Sequence, residues 1–537
     1  MRPVLYKKGD ELEIEITDLG SEGEGIGKTD AFIWFVKDTL IGDRIRAKVM
    51  KCKKNYGYAR LLEVIRSSPH RVEPPCPIAR ACGGCSLQSI DYRAELRFKE
   101  EKVLRNLLHI GGFSRESILR REEPEEQKRG GAGAVLQEER VKENAAEEAG
   151  SGKEEAKSGE EGMQKAVFYP IIGMEAPWRY RNKSIYPIGE KNGRLIAGFY
   201  AARTHSIIEC GDCLIGIEEN RHILEKILAF MEEFKLPAYD EESGKGLLRH
   251  VLIRKGFFTG EIMVCLIINA ESFPHAAELV KRLKKIEGIK SIVCNINRER
   301  SNVILGKEVF ALFGDGYIRD YIGEVEFRIS ALSFFQINPL QTKKLYEKAL
   351  EFAGLSGKEI VWDLYCGIGS ISLFLAKKAG KVYAVEVVEE AIEDARENAK
   401  LNGIENASFF VGRAEELLPR IYESLKRREN AGEIKEGKPS GEVSERGAEE
   451  PLCEDMLSPD VIVVDPPRKG CDRECLDTML KMGPKRIVYV SCDPATLARD
   501  LKYLCEEGYE LRKVQPVDMF GHGVHVESVV LMSKKDK

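Results

Sequence analysis

The chain changes its hydrophobic period twice. Residues 4–66 alternate apolar and polar positions with the two-residue period of strands, as in Leu12-Glu13-Ile14-Glu15-Ile16 and Ala31-Phe32-Ile33-Trp34-Phe35-Val36. Glycines punctuate them at Gly20, Gly23, Gly25 and Gly27. Short, evenly spaced strands with turn residues between them predict a small β-barrel over 1–68. Barrels of this kind bind single-stranded nucleic acid. Residues 69–330 mix both periods and read as an α+β domain. Leu247–Arg254 and Glu261–Ile268 predict paired strands, and Pro274–Lys285 an amphipathic helix with its proline in the first turn. From 331 to 537 strands alternate with helices. The strands are Glu359–Leu364, Lys381–Glu386, Ala407–Val411, Val461–Asp465, Arg486–Ser491 and Val526–Met532, which predicts a doubly wound α/β sheet.

Two segments carry almost no large apolar residues. Residues 121–165 hold 8 Lys+Arg and 13 Glu, and 426–455 hold 6 bases and 9 acids. Neither buries enough surface to offset its ordering entropy, so both are expected to be disordered insertions. The first accounts for the whole net charge of −5. Residues 41–71 go the other way, with 9 Lys+Arg against 2 acids, a density that suits a phosphate backbone or a solvated β-ribbon. No run of about 18 uncharged apolar residues predicts a membrane span, and the first residues lack the apolar core of a secretory signal. A cytoplasmic protein is expected, its fourteen cysteines serving as thiols or metal ligands.

The candidate chemistry sits at the ends of the predicted strands, the edge where open α/β sheets bind ligands. Asp363-Leu364-Tyr365-Cys366-Gly367-Ile368-Gly369 joins a strand to a helix through a single Gly-x-Gly. Dinucleotide sites carry a third glycine to seat a pyrophosphate. A carboxylate before the turn suits a positive sulfonium instead, which points to S-adenosylmethionine. Glu386, ending the next strand, stands where an acid meets ribose hydroxyls. Asp465-Pro466-Pro467-Arg468 ends another strand. Enzymes that methylate exocyclic amines place an aromatic residue after Asx-Pro-Pro, and Arg468 argues against an amine target. Cys492, in Ser491-Cys492-Asp493-Pro494, follows an apolar strand and opens a tight turn. A thiolate there could add to carbon 6 of a uracil, making carbon 5 nucleophilic towards a methyl sulfonium. A base must then remove the carbon-5 proton. His525-Val526-Glu527 offers two bases, and Glu527 is the one chosen.

Cys76, Cys82 and Cys85 form C-x5-C-x2-C, with Cys210 and Cys213 as distant partners. Three close cysteines plus one distant one fit a 4Fe–4S cluster, with zinc as the rival ligand. No step of the chemistry above needs an electron, so a structural or RNA-positioning role is expected.

Taken together these motifs resemble the RNA uracil-5-methyltransferases, in particular the iron–sulfur type acting on 23S ribosomal RNA. The resemblance implies a Rossmann-like class I methyltransferase domain over 331–537, a TRAM/OB-like barrel over 1–68 and a central RNA-binding domain over 69–330. Ser333-Phe334-Phe335-Gln336-Ile337-Asn338 is similar to the family's entry into the methyltransferase domain, which makes Gln336 a donor contact. By the same carry-over Tyr365, Gly367, Glu386 and Asp465 bind the donor. Cys492 is the nucleophile and Glu527 the general base. Cys76, Cys82, Cys85 and Cys213 hold the cluster, with Cys210 a second possibility for the last ligand. Phe520-Gly521-His522-Gly523-Val524 departs from the family's wording before the base. Structured RNA is the implied partner, ribosomal or transfer, of a monomeric enzyme. Cytosine-5 methylation of RNA and a non-catalytic iron–sulfur RNA-binding protein remain as alternatives, the first disfavoured by Arg468 where common RNA cytosine enzymes carry Cys.

Overall fold

The computed structural model describes residues 6–30, 32–121, 165–201, 204–431 and 453–535, with the backbone alone for 442–443 and 450–451. Five strands open the chain: β1 (Glu11–Leu19), β2 (Gly25–Thr29), β3 (Phe32–Val36), β4 (Arg44–Cys52) and β5 (Tyr56–Arg66). They close into a barrel in the order β1-β2-β3-β5-β4. Period-two alternation turns Ile14, Ile16, Trp34, Val36, Ile45, Ala47, Val49 and Ala59 inward. Gly57 is glycine because a Cβ there would stand 2.4 Å from the Trp34 ring.

Helix α1 (Tyr92–His109) follows, capped by Asp91, whose carboxylate accepts from the Ala94 amide. Two short strands come next, β6 (Ile118–Arg120) and β7 (Ala166–Phe168). The central domain contains β8 (Lys183–Lys191), β9 (Arg194–Tyr200), β10 (Ile207–Glu209), α2 (Glu219–Glu233), β11 (Leu248–Lys255), β12 (Ile262–Ile268), α3 (Ala276–Leu283), β13 (Ile289–Ile296) and β14 (Glu308–Phe313). Its sheet runs β10-β9-β8-β11-β12-β13-β14. All seven residues of β12 are buried because the sheet has two covered faces. Val264 and Leu266 pack with α2 and α3. Met263, Cys265 and Ile267 enter the core that also holds Val361, Val382 and Val463 of the C-terminal sheet. The helix α3 begins after His275, which lies in the left-handed region at φ 54°, so Pro274 precedes the helix instead of occupying its first turn.

A hairpin, β15 (Tyr317–Ile322) and β16 (Val325–Ser330), leads to α4 (Pro339–Ala353). Then follow β17 (Ile360–Leu364), α5 (Ser370–Ala376), β18 (Lys381–Glu386), α6 (Glu389–Leu401), β19 (Ala407–Val411), α7 (Ala414–Asn430), β20 (Glu442–Val443), β21 (Glu450–Pro451), β22 (Val461–Val464), α8 (Arg473–Met482), β23 (Arg486–Ser491), α9 (Pro494–Glu506), β24 (Tyr509–Val517) and β25 (Glu527–Lys534). The nine-stranded sheet is ordered β19-β18-β17-β22-β23-β25-β24-β7-β6. This is the α/β, Rossmann-like doubly wound architecture read from the sequence. Two differences stand out. The sheet borrows β6 and β7 from ahead of residue 331, pairing Val167 with Lys513 along the outer edge of β24, where Ile172 also bridges to Val517. Residues 426–430, expected to be disordered with the rest of 426–455, form the last turn and a half of α7. There Leu425 is still buried and the Arg427 and Arg428 side chains suit a helix C-terminus. Residues 122–164, 432–441 and 444–449 lie outside the described residues. Among the described residues no helix is long and apolar enough to cross a membrane.

Candidate active site and cysteine cavity

Strand order reverses between β17 and β22, so the carboxyl ends of these strands flank the sheet's switch point. Tyr365 follows β17 with φ 70°, a strained conformation for a residue with a side chain. Gly367 and Gly369 take the left-handed region at φ 56° and 79°. Space beside the Gly367 Cα is open, with nothing within 4 Å of a Cβ built there. Glu386 ends β18 and accepts from the Gly367 amide at 3.1 Å and the Val388 amide at 2.9 Å, which fixes its carboxylate over the turn. Asp363 is fully buried, accepts from the Ser372 hydroxyl on one oxygen, and has no partner for the other. Burial, with Asp465 adding to it, pushes the Asp363 carboxyl up to about 7. Gln336 and Asp465 are half-buried at the same end of the domain, and the Gln336 carbonyl accepts from Asn182 at 2.9 Å. Tyr365 turns differently from the others: its ring packs into the core on the α8 side, and its hydroxyl is hydrogen-bonded to Cys475.

Cys492 and Glu527 are brought together by register. β23 runs antiparallel to β25 with Ser491 opposite Ser528, so Cys492 and Glu527 are the next positions along. Asp493 caps α9, accepting from the Ala495 and Thr496 amides, and this forces the sharp turn at Cys492. The Thr496 hydroxyl donates to the Arg468 carbonyl at 3.1 Å, tying the Asp465–Arg468 loop to the same turn. Burial pushes the Glu527 carboxyl up to about 8, Asp465 raising it further while Arg468 opposes. Burial also pushes Asp465 up to about 6. The Cys492 thiol goes up to about 12, by burial first and then by Glu527 and Asp465. Burial and Arg468 lower His525. The cleft therefore gathers one thiol and several carboxyls that hold protons until a cation or a proton acceptor relieves them.

Sequence reading missed what holds the loop that leads to Glu527. The loop from Asp518 to Val526 is gripped from α1. Lys99, fully buried, donates to Glu95 and Asp518 at 2.7 Å each and to the Phe520 carbonyl at 3.0 Å. The Tyr92 hydroxyl donates to Asp518 at 2.7 Å, and Tyr180 to the Gly521 carbonyl at 3.0 Å. The His522 ring stacks on Trp178 at 3.7 Å. The one signal in the sequence was Glu95 four residues before Lys99, a spacing shared with ordinary surface pairs.

Cys76, Cys82, Cys85, Cys210 and Cys213 line one cavity of about 320 Å³, with Arg181 and Lys183 in its wall. Burial pushes Cys85 up to about 11 and Cys210 up to about 12, the neighbouring thiols adding to it. Cys213 raises Cys82 and Cys85, and Cys210 is in turn raised by Cys213, Cys76 and Cys82. As the side chains stand, no three ligating groups among the described residues close on the position of a single ion.

Three family models match parts of the chain: the TRAM domain over 6–62, a methyltransferase domain over 355–427 and tRNA (Uracil-5-)-methyltransferase over 453–535. Proteins described as uncharacterized RNA methyltransferases match it end to end. One from Clostridium acetobutylicum is 43% identical over 535 residues, covering 99% of each chain. One from Halalkalibacterium halodurans is 44% identical over 530 residues, covering 98% of each. The crystal structure of a Pyrococcus abyssi tRNA (uracil-54, C5)-methyltransferase with S-adenosyl-L-homocysteine shares the fold, at TM-score 0.66 and 24% identity over 97% of this chain and 100% of that one. On matches of this length and identity, the chain belongs to the S-adenosylmethionine-dependent RNA methyltransferase family, within its uracil-5 class.

Proposed function

We propose that this enzyme methylates carbon 5 of a uridine in 23S ribosomal RNA through a covalent bond from Cys492 to carbon 6. The observation that carries the reading is the juxtaposition of Cys492 and Glu527, each one position beyond the Ser491–Ser528 pair of β23 and β25, beside the switch point. S-Adenosylmethionine supplies the methyl group as an electrophile on its sulfonium. The orphaned Asp363 oxygen and the raised carboxyls around it fit a cationic ligand, and Gln336, Gly367, Glu386 and Asp465 are the residues proposed to hold it, with Tyr365 contributing through its strained backbone and not its ring. Cys492 releases its proton to solvent and its sulfur adds to carbon 6, placing the electron pair on carbon 5. Carbon 5 takes the methyl group, leaving S-adenosylhomocysteine as the neutral thioether. Glu527, ionised, then removes the remaining carbon-5 proton, the double bond re-forms and the sulfur leaves. The target base must leave its stack to reach the strand edge. RNA containing 5-fluorouridine cannot lose that proton. The experiment is to incubate such RNA with enzyme and donor and analyse the product by mass spectrometry. A cross-link on the peptide containing Cys492 supports the reading, and its absence refutes it.

The cysteine cavity is proposed to hold a 4Fe–4S cluster on Cys76, Cys82, Cys85 and Cys213. Its five thiols share one cavity of about 320 Å³, and Arg181 offsets thiolate charge at Cys85 and Cys213. Anaerobic purification with iron analysis tests this, and a colourless zinc protein overturns it. Ribosomal RNA is preferred because the Cys76, Cys82 and Cys85 motif resembles that of the iron–sulfur ribosomal type. Transfer RNA is the second reading, favoured by the substrate of the Pyrococcus abyssi neighbour. Mapping 5-methyluridine in both RNAs from a deletion strain separates them.

A further inference from the structure

The barrel surface is divided into two electrostatic regions. On one, bases are neutralised across strands: Arg44 pairs with Glu13, Arg46 with Glu63 and Arg66 with Glu15. On the other, Lys37, Lys48, Lys51, Lys53, Lys54 and Arg60 make no ion pair among the described residues. Three aromatic rings lie among these unpaired bases. Trp34, Val36, Gly57 and Ala59 face inward, so Phe35, Tyr56, Tyr58 and Arg60 face out. Register sets Phe35 opposite Tyr58 and Tyr58 opposite Lys51. Ring centroids are 5.7 Å apart for Phe35–Tyr58, 5.8 Å for Phe35–Tyr56 and 5.9 Å for Tyr56–Tyr58. Their planes meet at 33°, 83° and 79°, so no pair lies flat together with its faces covered. Tyr58 is 44% exposed and Tyr56 37%, and neither hydroxyl has a partner among the described residues.

A solvated strand face scatters its charges and neutralises them, as the other half of this barrel does. Rings that offer π-faces, bordered by unpaired cations, match the two demands of an unpaired nucleic-acid strand: stacking for bases and charge for phosphates. We propose that Phe35, Tyr56 and Tyr58 form a stacking platform for unpaired bases of the substrate RNA, with Lys51, Lys53 and Lys54 holding the adjacent phosphates. The inference rests on RNA being the substrate and adds a second, sequence-tolerant contact separate from the target uridine. It also states which RNA feature is read there: a single strand, not a duplex.

The test uses the full-length enzyme and two fluorescein-labelled probes, a 12-nucleotide single-stranded RNA and a duplex of the same length. Tyr56→Ala/Tyr58→Ala should weaken single-strand binding by about 10-fold or more, with a much smaller loss for the duplex. Tyr58→Phe should bind like the parent, because the ring and not the hydroxyl stacks. Lys51→Gln/Lys53→Gln/Lys54→Gln should lower the salt dependence of binding by about two counterions. On a long RNA substrate the aromatic variant should raise KM by more than it lowers kcat. Equal losses for both probes, unchanged single-strand binding in a variant with parental Tm, or capture of a protein partner with no change in RNA binding would each overturn the proposal. Covalent capture of 5-fluorouridine is a separate readout: its failure alongside intact platform binding condemns the uracil chemistry alone.

Discussion

The cysteine cavity and the carboxyl-edge cleft place similar demands on the protein and are built in opposite ways. Each gathers groups whose ionised forms are disfavoured by burial: thiols in one, carboxyls and a thiol in the other. The cleft is set by sheet register. Hydrogen-bonded strand ends place Asp465, Cys492 and Glu527 side by side at the carboxyl edge. The cavity is set by loops, residues 76–85 and 210–213, held by turn hydrogen bonds such as Cys82 to Ile78 and Gly216 to Cys213 and by the bridge from Cys82 to Ala201. One site is positioned by strand register, whereas the other is positioned by turns between elements.

That contrast can be attacked in order of expected effect. Cys492→Ala should reduce methylation by at least about 10³-fold while leaving iron content and Tm at parental values, because the register that shapes the cleft does not depend on the thiol. A variant that retained turnover would end the nucleophile reading. Glu527→Gln should cost about 10²–10⁴-fold. Unlike Cys492→Ala it should accumulate the enzyme–RNA adduct on ordinary uridine RNA, visible on denaturing gels. Lys99→Met leaves Asp518 and Glu95 buried without their cation and should destabilise the protein by about 3–5 kcal/mol by urea unfolding. It should also prolong the adduct, since the loop that ends at Glu527 loses its anchor. Cys213→Ser should abolish the visible absorbance of anaerobically purified protein, and Cys210→Ser should spare most of it. The reverse pattern would reassign the fourth ligand.

The smallest effect is the pH response of the cleft. In the fold, burial with help from Asp465 holds Glu527 up to about 8 and Asp363 up to about 7. Unfolded, both titrate near 4, roughly the ordinary carboxyl value. The native state thus keeps protons that the unfolded chain has released. This contribution is complete below about pH 4 and is lost as pH rises through 7 and 8. Tm should fall over that upper range, and Glu527→Gln should flatten the fall. Activity should run the other way, rising as Glu527 ionises.

Local signals made the fold class readable. Alternation at Leu12–Ile16 announced the barrel, and apolar runs such as Arg486–Val490 announced buried parallel strands. Cys492, Glu527 and the five cysteines were visible as residue types in unusual company. Their arrangement was not. Cys492 and Glu527 meet through strand pairing, and Lys99 reaches Asp518 across most of the chain. No local period encodes either contact. β6 and β7 were invisible for a simpler reason: three residues each, they are too short to show a period, and only the outer edge of β24 explains them.

That borrowed edge has a consequence for biosynthesis. β7 leaves the ribosome long before β24, which starts at Tyr509, exists. The great sheet therefore cannot close until β24 and β25 have been made. Until then, its early strands wait as sticky tape with nothing to hold, a natural point for chaperone capture. A recombinant fragment starting at residue 331 would inherit the opposite fault: an open β24 flank inviting edge-to-edge aggregation, so a catalytic half should be sought as two co-expressed pieces.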